Sequence, residues 1–299
     1  MNPTRREVML AAIVGGGLTL NGGKDYRGQI PASTVNGLME SEKVTRDALM
    51  LKLLPEAKSH AHPPISNYFV GAVASGLSGS MYLGQNIEIP GNPLGLAVHA
   101  EQSAIANAYM SGEQGIDTVA VPGSPCGHCR QFLSEVAIDI TMRILMGDKL
   151  EAKLSDLLPH AFGPKNLGFK EGSFPVRRVT LTLSSPSIDP LALEALKAAE
   201  QAYSPYSRSL SGAAVQTSNG RIFAGSYIEN AAFNPSLPPL QAALAGYFAA
   251  GKSAGEIQRA VLVEGEKSTI SQHTATKSTL SAFAPGKRLE RFTFRHTQV

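Results

Sequence analysis

The sequence predicts an α/β fold built twice in one chain. Three observations carry this reading. Short β-like runs alternate with helical stretches, the order of these elements repeats after about 140 residues, and apolar residues make up 43% against 17% charged. The last balance supplies enough burial for packed cores and excludes a disordered chain. A length of 299 residues suits one large domain or two of ordinary size.

An N-terminal region, residues 1–44, comes first. There Thr4, Arg5 and Arg6 precede Val8 to Leu20, an apolar stretch with three glycines. Paired arginines ahead of such a stretch resemble a twin-arginine export signal. At about 13 residues the stretch is too short to span a bilayer, which takes roughly 20. No A-x-A cleavage site follows. An export signal within residues 1–23 and a plain N-terminal arm, ragged or helical, both fit.

Residues 45–165 form the first domain. Ser41 to Lys58 has helical spacing at Val44, Leu49, Leu51 and Leu54, and ends near Pro63 and Pro64. Tyr68 to Ser75 and Met81 to Ile89 read as a hairpin around a Gly/Ser turn. His99 to Met110 is Ala-rich and helical, stopping at Ser111 and Gly112. Thr118 to Val121 is a strand, Cys126 to Ile138 a helix with Phe132, Leu133 and Val136 on one face, and Met142 to Met146 another strand. A less patterned connection begins at Gly163 and Pro164.

The second domain, residues 183–299, repeats this order. A helix over Leu191 to Tyr203 leads into a hairpin over Gly212 to Tyr227, turning at Ser218, Asn219 and Gly220. A helix over Leu240 to Phe248 and strands over Arg259 to Val263 and Leu289 to Phe294 complete it. Val70-Gly71-Ala72 matches Ser211-Gly212-Ala213, and Gly84 with Glu88 matches Gly225 with Glu229, all at a separation of 141. One deletion later, His99-Ala100-Glu101 falls opposite Pro239-Leu240-Gln241 at 140. A period this long points to duplication of a domain, since solenoid repeats are shorter.

Charge excludes little and suggests little. Lys and Arg number 27 against 24 Asp and Glu, without a basic run, so nucleic-acid binding has no support. Only Cys126 and Cys129 occur, which rules out a disulfide framework and leaves a redox pair or metal ligands.

His99, Cys126 and Cys129 supply one imidazole and two thiolates, the count a catalytic zinc site uses when its fourth position is kept for water. Cys126 follows Pro125 and opens a helix, where residues i and i+3 share a face. The positive end of the helix and its unpaired N–H groups favour thiolates there. Arg130 could further offset the two sulfurs. Positions i and i+2 diverge within a regular helix, so His99 and Glu101 converge only if His99 sits at the helix entrance. Glu101 is then placed for proton transfer beside the metal.

H-x-E with P-C-x-x-C is the signature of zinc deaminases. Val98-His99-Ala100-Glu101-Gln102 together with Pro125-Cys126-Gly127-His128-Cys129-Arg130-Gln131 resembles the cytidine and deoxycytidylate deaminase family, in its long two-domain form. The resemblance runs from about Lys24 to the C-terminus and includes Tyr227 to Pro235. It implies a three-layer α/β/α sandwich, used twice, and a homodimer with one zinc per subunit. It also implies hydrolysis of a cyclic amidine C–N bond: an activated water adds at C4 of cytidine or deoxycytidine, Glu101 carries protons, and ammonia leaves. The implied role is pyrimidine salvage on a free nucleoside, with neither nucleic acid nor a membrane as a stable partner. A cytoplasmic location suits that role, and periplasmic export through the twin-arginine-like N-terminus stays open.

Carried over by position, Asn86 and Glu88 grip the ribose, Tyr68 lies against the pyrimidine, and Phe162 of Phe162-Gly163-Pro164 reaches a neighbouring subunit's pocket. Ser124 offers its carbonyl to the substrate amino group. The charge of Glu88 would repel a 5′-phosphate, favouring a nucleoside over a nucleotide. Plainer readings stand beside these. Asn86 and Glu88 also fit a strand-end turn with a solvated carboxylate, and Tyr68 and Phe69 fit core residues on opposite strand faces. The Cys-Gly-His-Cys order also fits a thioredoxin-like redox pair. A zinc-stabilised scaffold and a strand-acting deaminase are further alternatives, the latter needing a basic, aromatic groove. His128 points away from the sulfurs, and His60 and His62, beside prolines, read as surface residues. His160, His273 and His296 carry no chemistry. The second domain lacks cysteine, so its role is structural.

Overall fold

Gly71–Gly76 and Met81–Gln85 are buried at every position, without polar alternation. Strands of this kind need cover on both faces, and helices provide it. The computed structural model describes residues 10–14, 17–21, 27–137, 141–147, 150–169, 172–174, 176–253 and 255–296. Thr4, Arg5 and Arg6 lie outside the described residues. Leu10–Val14 (β1) and Gly17–Asn21 (β2) pair antiparallel as a hairpin, in place of a helical arm. No helix among the described residues is long and apolar enough to cross a membrane.

The first half begins at β3 (Gln29–Ile30), followed by α1 (Ala32–Glu42) and α2 (Arg46–Ser59). The single helix expected over Ser41 to Lys58 is thus two. Lys43 takes a left-handed φ of 52° that ends the first, and the Thr45 hydroxyl caps the second by accepting from Ala48 N–H. Then come β4 (Gly71–Gly76), β5 (Met81–Gln85), α3 (Ala100–Met110), β6 (Ile116–Val121), α4 (Gly127–Val136), β7 (Arg143–Met146), β8 (Leu150–Lys153) and α5 (Leu154–Leu157). Their sheet runs β3-β5-β4-β6-β7-β8, with β6 and β7 parallel. Gln29–Ile30 pairs with β5, so residues ahead of 45 belong to the first sheet.

The second half holds β9 (Leu181–Leu183), α6 (Pro190–Glu200), β10 (Ser211–Thr217), β11 (Ile222–Ser226), α7 (Pro239–Ala249), β12 (Ile257–Gly265), α8 (His273–Phe283) and β13 (Leu289–His296). Its order, β11-β10-β12-β13-β9, again has one parallel pair, β12 with β13. In each half one helical layer covers the outer sheet face: α1 and α2 over Val73 and Leu83, α6 over Ala214 and Val261. The inner layers meet, and Ala104, Tyr109, Leu244, Tyr247 and Phe248 share one core across α3 and α7. Each half is therefore a three-layer α/β/α sandwich, and the two stand back to back.

Close backbone approach fixes the matched glycines. A Cβ on Gly84 would lie 2.1 Å from Ala104 N, and one on Gly225 2.1 Å from Ala243 N. These contacts correct the alignment of the two inner helices. Ala104 and Ala243 are 139 apart, as are Val98 and Leu237, which bridge Ile87 and Ile228 in the same way. His99 and Glu101 therefore correspond to Pro238 and Leu240, rather than Pro239 and Gln241. Neither replacement can bind metal or carry a proton.

Candidate functional site

His99 and Cys126 are the N-cap residues of α3 and α4, both with extended backbone (φ −83°, ψ 158° and φ −69°, ψ 166°). This places His99 at the helix entrance, where its side chain can turn toward the same point as a side chain of the first turn. His99 Nδ1 lies 3.5 Å from Cys126 Sγ and 3.3 Å from Cys129 Sγ, and the sulfurs are 3.6 Å apart. At ordinary zinc–ligand lengths, tetrahedral edges measure roughly 3.8 Å between thiolates and roughly 3.6 Å between nitrogen and sulfur. The three donors fit one small divalent ion, and a disulfide is absent. No other His, Cys, Asp or Glu group among the described residues comes together in this way.

The electrostatics prepare one sulfur. Cys126 accepts from the Cys129 thiol and from backbone N–H groups of the first turn, which bring its pKa down to about 4. Cys129 donates in that pair and is buried, and both effects push it up. A metal would draw the second proton away, because the ligand form of each thiol is the thiolate. Arg130 does not serve the sulfurs as expected. Its guanidinium donates to the Pro125 and Leu157 carbonyls and the Ser124 hydroxyl, so it fixes the loop entering α4. The His128 ring lies 5.4 Å from that of His99, outside the donor group.

Glu101, only 6% exposed, lies beside this group. Burial raises its carboxyl above the ordinary value, against opposing help from the Cys129 thiol and His99. Together with His99, Cys126, Tyr68, Asn86, Glu88 and Ser124 it lines a cleft of about 330 Å³. That is the lower end of small-molecule sites, roughly 300–1,000 Å³. No Lys or Arg is among the described residues lining it.

Glu88 and Asn86 turn out to be hydrogen-bonded anchors. Glu88 accepts from Ile65 N (2.8 Å), Ser66 N (2.9 Å) and the Ser66 hydroxyl, so it is not a freely solvated carboxylate. Burial raises its pKa, but these bonds outweigh it and the net shift is downward. Glu229 makes the same cage with Tyr206 N, Ser207 N and the Ser207 hydroxyl, each partner 141 residues on. This anchor is thus part of the fold in both halves. Asn86 bridges Val70 N and the Tyr68 carbonyl, whereas Tyr227 occupies its place in the second half.

Tyr68 is 70% exposed at the cleft and Phe69 is also exposed, so neither is a core residue. Phe162, 45% exposed, does not line the cleft of its own chain, and its carbonyl accepts from Gln131. His62 is partly buried rather than free on the surface. It stacks on Phe248 at 5.0 Å and meets Phe283, both from the second half, and burial lowers its pKa against the pull of Glu88.

Three residues that sequence reasoning passed over tie the ligand-bearing helices to the second half. Gln102 accepts from His99 N–H and donates to the Pro235 carbonyl. Gln131 and Asn230 exchange side-chain and backbone bonds. Glu135, on α4 and fully buried, accepts from the Tyr203 and Tyr206 hydroxyls (2.7 and 2.5 Å) and Ala231 N (2.9 Å). A charged residue at a helical core position was the available signal.

Comparison with known proteins agrees with this geometry. A model of the cytidine and deoxycytidylate deaminase zinc-binding region matches residues 44–144, which hold all three donors and Glu101. A second model of the same description matches residues 154–277, which hold no cysteine. The chain is 42% identical over 261 residues to a cytidine deaminase of Vibrio vulnificus, covering 87% of this chain and 88% of that one. It is 44% identical, with the same coverage, to a cytidine deaminase of Aeromonas hydrophila. A crystal structure of cytidine deaminase from Burkholderia pseudomallei is 29% identical, spans 38% of this chain and 98% of its own, and has a TM-score of 0.36. The donor triad, the buried carboxylate beside it, the two family models and the relatives at 42% and 44% identity place the chain in the cytidine and deoxycytidylate deaminase family, in a long form with two deaminase-like halves.

Proposed function

We propose that the chain hydrolyses the amino group of cytidine and 2′-deoxycytidine, giving uridine, 2′-deoxyuridine and ammonia. His99, Cys126 and Cys129 hold one zinc ion per chain. The observation that carries this is their tetrahedral spacing at the wall of a cleft, with the buried Glu101 beside them. Zinc at such a site supplies Lewis acidity that brings the pKa of water toward neutrality.

Glu101 takes a proton from the attacking water and passes it to the ring nitrogen, then takes the second proton from the new C4 hydroxyl and passes it to the amine, which leaves as ammonia while C4=O forms. Its raised pKa suits both directions of transfer. Glu88 has accepting capacity left after its three bonds and takes a ribose hydroxyl, with Asn86 holding the adjoining backbone. Tyr68 covers the pyrimidine, and the Ser124 carbonyl accepts from its amino group. Carboxylates without a cation at the cleft support a neutral nucleoside over a phosphorylated substrate.

A homodimer completes the site in this reading. Exposed Tyr68 at the cleft, with exposed Ile65 and Phe69 near it in the chain, favours burial against a second copy, whose Phe162 would close it. The reaction serves pyrimidine salvage, in the cytoplasm or, if the N-terminus directs export, in the periplasm.

Glu101→Gln tests the assignment. Following loss of cytidine absorbance, turnover is expected to fall roughly 10²–10⁴-fold, the usual worth of general acid–base catalysis, with zinc still bound. Near-parental turnover in that variant would remove Glu101 from the chemistry.

A further inference from the structure

The two halves differ at one sheet edge. In the first half β8 lies along β7, pairing Arg143 with Lys153 through Met146 with Leu150. Register locates the same place in the second half. Val73 and Ala214 are equivalent, being 141 apart, and they face Ala120 and Val261. Ala120 faces Leu145 and Val261 faces Glu290, so residues 143–146 correspond to 288–291. The strand on that side of β13 is β9, and it pairs only with Phe294, Arg295 and His296. Ser184 N–H adds a bond to the Thr293 carbonyl. Among the described residues, nothing pairs with the outer edge of Leu289–Phe292.

A groove of about 840 Å³ wraps this open edge. Arg259, Lys277, Lys287, Arg288 and Arg291 line it, against one carboxylate, Glu290. Arg259 is engaged by Asp189 and Glu290, and Arg291 by Glu264. Lys277 and Arg288 have no ion pair among the described residues. In the first half, the residue equivalent to Arg288 is Arg143, which binds Glu151 of β8 at 2.7 Å. The missing strand thus has a pattern to follow: it is extended, and a carboxylate two residues along from the position opposite Arg288 reaches its guanidinium diagonally, as Glu151, two residues from Lys153, reaches Arg143.

We propose that the edge of β13 from Arg288 to Phe292 accepts a strand from an acidic, extended segment of another protein, completing the second sheet as β8 completes the first. Backbone hydrogen bonds supply affinity in this mode, and side chains select the sequence. A second copy of this edge is the poorer fit, since it would bring the cations of two such edges onto one seam with a single carboxylate, Glu290, from each.

The test uses the full-length protein and a fluorescein-labelled decapeptide of alternating Glu and Val at physiological ionic strength. Anisotropy is expected to show saturable binding, and hydrogen exchange to slow at Leu289–Phe292. N-methylation of alternate peptide amides is expected to abolish both. Arg288→Glu with Lys277→Glu is expected to weaken binding roughly tenfold, as cross-strand attraction becomes repulsion, while cytidine turnover stays at the parental value. Absence of binding would overturn the proposal. So would equal binding of the N-methylated peptide, or equal binding of a single-stranded oligonucleotide, because either shows that the groove reads charge alone. A change of oligomeric state in the double variant would assign the edge to a second copy and would overturn it as well.

Discussion

Glu135 offers the sharpest test of how the inactive half supports the active one. Its carboxylate lies on α4, two turns beyond Cys129, and holds Tyr203, Tyr206 and Ala231 from the second half. Glu135→Ala would take the Glu135 acceptor from two half-buried phenol hydroxyls and from the buried Ala231 amide N–H. Each stranded group costs about 1–3 kcal/mol. Part of this is recovered because a buried charge has gone and the tyrosines can turn, so a net loss of about 3–5 kcal/mol is expected. That is a large share of a domain's stability, about 5–15 kcal/mol. Glu135→Gln keeps the shape and one accepting oxygen and should lose about 1–2 kcal/mol. Urea unfolding measures both, and competition with a chromophoric chelator follows zinc affinity, which should weaken with α4. Glu135→Ala within about 0.5 kcal/mol of the parent, the level of an ordinary surface change, would refute the bracing role.

Three further outcomes follow from the same geometry. Gln102→Ala removes the link from His99 N–H to the Pro235 carbonyl and should cost about 1–2 kcal/mol, read by urea unfolding, with faster zinc release to a chelator. Gly84→Ala drives a Cβ into Ala100 O and Ala104 N at 2.2 and 2.1 Å. It should destabilise by about 3 kcal/mol or more, visible as a lowered melting temperature. Glu88 has a folded-state pKa below its ordinary 4.5. Its contribution to stability is therefore present above the unfolded value and is lost as pH falls through the folded one. Exchange protection of the Ile65 and Ser66 amides should survive down to pH 4.5 and fail only below it.

The donor set was legible because its chemistry leaves a local trace. Two cysteines three apart after a proline, and a histidine two residues ahead of a glutamate, each mark a helix entrance. Other features left a weaker trace or a misleading one. Apolar spacing ran across the α1–α2 break, where the true signals were Lys43 and the capping Thr45. Helix α8 went unseen because its buried stripe is Thr276, Thr279, Leu280 and Phe283, correct in period but half of it threonine. The two prolines after His62 suggested a loop on the surface, and only the second half's Phe248 and Phe283 show that the ring is packed. The alignment of the inner helices slipped by one because nothing in the residues themselves marks Pro238 as the N-cap. Contacts between the halves, such as those of Glu135, span 68 to 96 residues of sequence and have no local signature.

The central claim is that His99, Cys126 and Cys129 bind one ion together. Cobalt substitution tests it most directly, since tetrahedral cobalt with two thiolates gives intense visible bands and a sulfur charge-transfer absorption. The account predicts one cobalt per chain, displaced by one zinc, with the charge-transfer band diminished in Cys126→Ala and Cys129→Ala. A protein that turns over cytidine at full rate while binding less than stoichiometric metal, or whose cobalt spectrum is unchanged by loss of either cysteine, would contradict it.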